Sequence, residues 1–183
     1  SLGHHVESVP FPGDMRFGKD FLRFWGMMAK LIQIGGKRFF GPEFDRSLLE
    51  PSTKGLCKYF TSVAFNAPAS VLRLRSFAQE FEQSFVDHDV LLSPVLSSEP
   101  VPIGVLAPDS DFHELMIRLV RYVRYTALQN VSGAPAISLP LGRGSSGLPI
   151  GVQFAAAYGQ DRRLIELAYE LEAAAPWRYA SSA

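Results

Sequence analysis

The sequence predicts an α/β layered fold built on a shared sheet, and three observations carry that expectation. Segments with apolar residues at helical spacing alternate with short, wholly apolar runs, which is the pattern of helices packed on a sheet. No repeat, low-complexity tract or linker interrupts residues 1–183, so they read as one packed unit. Only three strands stand out, with a weaker fourth near the N-terminus. That is thin for a freestanding sheet beneath so many apolar helix faces, and a sheet completed by chain outside these residues accounts for it.

The elements follow in order. His5 to Val9 reads as a short strand. Asp20 is placed to N-cap a helix carrying Phe21, Trp25, Met28 and Ile32 on one face, and Gly35-Gly36 is expected to stop it. A loop with Pro42 and Pro51 leads to a second helical region. There Asn66-Ala67-Pro68 opens a helix, because proline is tolerated in a first turn. Leu74, Phe77, Phe81 and Phe85 then repeat at helical spacing, a core stripe.

Asp87-His88-Asp89 closes that helix, and Val90-Leu91-Leu92, bounded by Pro94, reads as a buried strand. The stretch SPVLSSEPVPIGVLAPDSD is irregular, since Pro94, Pro100, Pro102 and Pro108 each remove a backbone donor. Asp111 with Glu114 forms a capping box for a helix whose apolar face runs through Leu115, Leu119, Val123 and Ala127, with Gly133 past its end. Arg118, Arg121 and Arg124 line another face, a solvated one. Strands follow at Ala136 to Leu141 and Ile150 to Ala157. A last helix from Asp161 to about Ala174 turns Leu164, Ala168 and Leu171 inward, and Pro176 ends it.

Composition excludes several functions. Eighteen basic residues balance eighteen acidic ones, so no net field draws the chain to nucleic acid or an anionic membrane. No apolar run reaches the length of about 20 residues that spans a bilayer. The one cysteine, Cys57, rules out an internal disulfide framework and a cysteine-only metal site, and reads as a small core residue. No histidine pair stands at i, i+4, and there is no Cys/His cluster, so no metal is expected. No cofactor is expected, and a phosphate loop is absent. The chain opens on Ser1 with neither a charged start nor an apolar leader core. It is read as a piece of a longer, cytoplasmic protein.

One stretch imitates a catalytic loop. GRGSSGLPIG, Gly142 to Gly151, sets Ser145 and Ser146 between glycines. A serine nucleophile needs a base and donors for an oxyanion. The Gly-x-Ser-x-Gly elbow is absent, no Ser-x-x-Lys occurs, and His4, His5, His88 and His113 have no evident serine partner. Two strands joined by a short Gly/Ser segment make a hairpin, so the serines are expected at an exposed tip. A triad of one histidine with a serine and an aspartate, assembled in space, stays open as a rival.

The flanks of that stretch are more specific. YTALQNVSGAPAISLPLG, Tyr125 to Gly142, followed by GLPIGVQFAAAYGQDRRLIELAYELE, resembles the C-terminal end of the amidase signature family. Asp89-Val90-Leu91-Leu92-Ser93-Pro94 is similar to a strand of that family, and Leu49-Glu50-Pro51 also fits. The resemblance covers the chain from about Leu49 and, more weakly, the part before it. It implies the C-terminal part of an α/β/α layered fold around a mixed sheet, incomplete without the N-terminal half.

It also implies an activity. Members hydrolyse amides through a serine nucleophile, a second serine and a lysine, all in an N-terminal segment that these residues lack. No catalytic residue is therefore expected here. The resemblance assigns this portion the far wall of the substrate site, with Thr126 and Gln129 lining the acyl pocket and Asn130 beside it. The implied partners are a small or lipophilic amide and the N-terminal half of the same protein, with self-association open. The rivals are the glutamine-hydrolysing subunit of a tRNA-dependent amidotransferase and a non-catalytic binding subunit.

Overall fold

A computed structural model describes residues 2–10, 14 and 16–177. Six α-helices and three strands are laid out as α1 (Phe17–Phe40), α2 (Pro51–Val63), α3 (Ala67–Gln83), β1 (Leu91–Pro94), α4 (Phe112–Tyr122), α5 (Ala127–Ser132), β2 (Ala136–Arg143), β3 (Pro149–Ala155) and α6 (Asp161–Ala174). The strand order is β1-β3-β2, and both pairings are antiparallel. Gln153 of β3 lies opposite Ser93 on one side and Ser138 on the other.

Alternation along β3 divides the layers. Ala155 faces Phe77 and Phe81 of α3 and Leu128 of α5. Phe154, with Leu139 of β2, faces Leu164 of α6. The sheet thus lies between α3 with α5 on one face and α6 on the other, the α/β/α layering expected. Among the described residues the sheet is purely antiparallel. The register of β2 against β3 shifts between Leu139 and Gly142, where Pro140 lacks an N–H to give the ladder.

A second core joins α1, α2 and α4 through Ala29, Leu56, Cys57, Leu115 and Met116. Burial raises the Cys57 thiol pKa, so it stays neutral, in keeping with a core residue. Gly26 lets α1 approach α2 closely: a Cβ there would sit 3.1 Å from both the Leu56 carbonyl oxygen and the Phe60 Cβ. Gly55 lies under the Phe112 ring, where a Cβ would fall 2.3 Å from it. That seat fixes α4 against α2.

The N-terminal half departs from the expectations. His5 to Val9 forms no strand. Gly35-Gly36 does not stop α1, which runs on to Phe40 and ends at Gly41, at φ 97°. Gly36 instead makes room for the Phe44 ring, which a Cβ would meet at 2.2 Å. The buried residues of α1 are Asp20, Gly26, Ala29 and Gly36. Trp25 and Met28 remain 36% and 42% exposed, and line a cleft of about 360 Å³ with Ile32, Leu106 and Leu119. Close approach to α2 selects the small residues of α1, which leaves the larger apolar ones outward.

Asp20 does not cap α1. It lies in the first turn, 1% exposed, facing α3. Its carboxylate accepts from Arg73 Nε and Nη2, both at 2.6 Å, from Ser70 Oγ at 2.7 Å and from Arg23 Nη1 at 3.0 Å. These bonds, the Arg73 fork first, hold its pKa at about 2. Phe17 packs beside this cluster on Phe77, with ring centroids 4.5 Å apart and the planes tilted by 52°. Helix entry is served instead by Asp14, whose Oδ1 accepts from the Arg16 and Phe17 N–H groups.

Removing the carboxylate leaves Arg23 and Arg73 without it, so Asp20→Ala is expected to lower stability by about 3 kcal/mol at pH 7. The folded pKa lies below the unfolded value of about 3.9, so the pairing contributes fully above that value and is lost as pH falls towards 2. Urea unfolding at pH 7, 4 and 2 checks both. The wild-type chain should lose stability between pH 4 and 2 more steeply than the alanine variant.

Candidate functional site

The sequence places Thr126, Gln129 and Asn130 near the end of one long helix, and the structure divides that helix. Ser97 of the proline-rich loop donates its N–H to the Tyr122 carbonyl at 3.0 Å and its hydroxyl to the Arg121 carbonyl at 2.7 Å. With those acceptors engaged, α4 ends at Tyr122. The chain then turns, and the six-residue α5 begins after Thr126. Val123 caps α4 and Ala127 opens α5, so the expected continuous apolar face breaks between them.

Thr126 is half-buried at the N-cap of α5, and its hydroxyl donates to the Val123 carbonyl at 3.4 Å. Gln129 is 9% exposed, and its Oε1 has no hydrogen-bond partner among the described residues. Its backbone carbonyl accepts from Gly133, at φ 73°, which closes α5. Asn130 is exposed. The three residues share one short helix at a helix break and carry neutral side chains.

A polar row escaped the sequence reading. Ser93, Gln153 and Ser138 cross the sheet side by side, and Gln153, 6% exposed, donates from Nε2 to Ser93 Oγ at 3.3 Å. The signal available was the alternation Gly151, Gln153, Ala155, which puts a buried glutamine on the face of α3 and α5.

Ser145 and Ser146 lie at the exposed tip between β2 and β3, in a turn closed by Gly147 N–H to the Gly144 carbonyl at 3.0 Å, with Gly147 at φ 83°. Both hydroxyls donate to the Glu99 carboxylate. Those bonds lower the Glu99 pKa, the wrong direction for a group that must take a proton from serine. The pair ties the proline-rich loop to the hairpin. Two of the four histidines are engaged elsewhere: His88 pairs with Glu7 at 2.8 Å and the Ser84 carbonyl at 3.1 Å, and His4 with Glu170 at 3.4 Å. Of the arginines predicted to be solvated, Arg118 is exposed and pairs with Glu114 at 3.0 Å, while Arg121 and Arg124 are exposed.

The profile of the family described as Amidase matches residues 19–165, most of the chain and all three strands. The chain belongs to the amidase family. It is 42% identical over 177 residues to a putative amidase AmiC of Mycobacterium leprae, covering 96% of this chain and 38% of that protein. It is 34% identical over 189 residues to a 6-aminohexanoate-cyclic-dimer hydrolase of Pseudomonas sp. strain NK87, covering 97% of this chain and 38% of that one. A solved structure of 6-aminohexanoate cyclic dimer hydrolase superposes with a TM-score of 0.80 at 30% identity, over 96% of this chain and 38% of its own. The chain thus spans under two-fifths of the length of these relatives. Among its described residues no helix is long and apolar enough to cross a membrane.

Replacing Ser145 and Ser146 together with alanine is expected to shift stability by no more than about 0.5 kcal/mol, the usual range for exposed sites. Thermal unfolding checks this. A loss of several kcal/mol would show that the link to Glu99 organises the proline-rich loop.

Proposed function

We propose that the protein containing these residues hydrolyses a carboxylic amide to an acid and an amine or ammonia, without a cofactor. The nucleophile is a serine outside residues 1–183. Its Oγ attacks the amide carbonyl, the C–N bond breaks, and the nitrogen leaves with a proton. Water then cleaves the acyl-enzyme ester, returning the serine and releasing the acid. Thr126, Gln129 and Asn130 form part of the substrate wall. The N-terminal half of the same protein supplies the reacting groups, and the single buried Cys57 suits work in the cytoplasm.

The observation that carries this reading is 42% identity to a putative amidase along 96% of the chain. A small or lipophilic amide is the substrate class we favour. The site helix offers neutral groups rather than a cation for a substrate carboxylate, and one relative is named for hydrolysing a cyclic amide.

The test compares the full-length protein with residues 1–183 on a chromogenic anilide, a short aliphatic amide and a cyclic diamide. Turnover is expected from the full-length protein only. Turnover by residues 1–183 that disappears when Ser145 and Ser146 become alanine would overturn the location of the nucleophile. Absence of any amide turnover by the full-length protein would overturn the activity itself.

A further inference from the structure

We propose that the cleft between α1, α2 and α4 binds a primary ammonium ion that carries an apolar chain or ring. The cleft, of about 360 Å³, has the size of a small-molecule site and the makeup of one, mostly apolar lining with a few polar groups. Leu56 and Leu115 line it, both 4% exposed and part of the core that joins the three helices, so its shape is preformed. Trp25 and Met28 of α1 and Leu106 of the proline-rich loop complete the apolar lining. Trp25, Met28 and Glu50 are exposed, so a ligand reaches the cleft from solvent.

The polar groups select the charge of the ligand. Glu50, Ser52 and Thr53 line the cleft where α2 begins, and Glu50 is the one charged residue lining it among the described residues. None of the three side chains takes part in a hydrogen bond or ion pair among the described residues. The start of α2 does not use the carboxylate: Ser52 donates its N–H to the Pro108 carbonyl at 3.1 Å. Lys54, one turn further on, donates instead to the Ser47 carbonyl at 2.6 Å. A carboxylate and two hydroxyls offer acceptors for the three N–H donors of a primary ammonium. Trp25 adds an aromatic face that attracts a cation, and the apolar lining takes the carbon chain. An anion would meet the like charge of Glu50. Hydrolysis of an N-alkyl amide releases such an amine, which gives the cleft a ligand from the reaction proposed for the full-length protein. Binding itself does not depend on that reaction.

The test is calorimetric titration of the full-length protein with n-octylamine, n-hexylamine, octan-1-ol and octanoate at neutral pH, where the amines are ammonium ions. Octylamine is expected to bind about tenfold tighter than hexylamine, at about fourfold per buried methylene. Octanol is expected to bind about fivefold weaker than octylamine, the upper worth of an ion pair open to water, and octanoate weaker still. Glu50→Gln is expected to bring octylamine to the level of octanol and to leave octanol unchanged. Met28→Ala is expected to weaken both, since it removes apolar lining and no charge. Glu50 makes no cap bond and both side chains are exposed, so both variants are expected to melt with the wild type.

Octylamine binding that Glu50→Gln leaves unchanged would overturn the proposal, as would octanoate binding as tightly as octylamine. Absence of octylamine binding by the full-length protein would also overturn it, assigning the cleft to chain outside residues 1–183. None of these titrations reads amide turnover, so the hydrolase activity and the amine site stand or fall separately.

Discussion

The Asp20 carboxylate is the constraint on which the arrangement of the helices depends. It is a buried anion on the first turn of α1, and its counter-charges come from two helices: Arg23 of α1 itself, and Arg73 of α3. Burying a carboxylate is costly unless nearly every lone pair is engaged, which leaves few positions in which α1 can lie on α3. With α1 held there, Gly26 brings α2 close, and α2 seats α4 through Gly55 and Phe112. The helix break before Thr126 follows directly from where α4 ends. A charge at residue 20 thus ties α1 to a helix some fifty residues along the chain.

The sheet contributes the second constraint. Strand β3 pairs on both sides, and its alternation decides which layer each neighbour joins. Phe154 turns to α6, and Ala155 turns to α3 and α5. Gln153 interrupts an otherwise apolar strand centre, and its bond to Ser93 ties the register of β1 to β3. A slip by one residue would bring Gln153 to the α6 side and Phe154 to the other, which strongly disfavours any alternative register.

Much of this was legible in the sequence because local signals agreed with tertiary demand. The Leu74, Phe77, Phe81 stripe, the Asp111 cap with its bonds to the His113 and Glu114 N–H groups, the hairpin and the last helix all lie close to where pattern and turn chemistry put them. What failed did so where a long-range partner outweighed a local rule. Asp20 has the chemistry of an N-cap, yet two arginines claim it. Gly36 has the chemistry of a helix stop, yet Phe44 fills the space beside it. The continuous helix from Asp111 was broken by Ser97, fourteen residues upstream in a loop that carries no periodic signal. At the site, residue types could be named from pattern and resemblance, but burial could not. Only the structure separates buried Gln129 from exposed Asn130 beside it.

The three-stranded sheet has a consequence for handling the chain in isolation. β1 and β2 are its outer strands among the described residues, and each presents a row of backbone groups on its unpaired side. β2 is blunted by Pro140 and the register shift, features that spoil a template for another strand. β1 is blunted in turn by its four-residue length and by Pro94, though it carries Leu92, which is 53% exposed. The side that remains open in this piece is the one where its solubility will be decided.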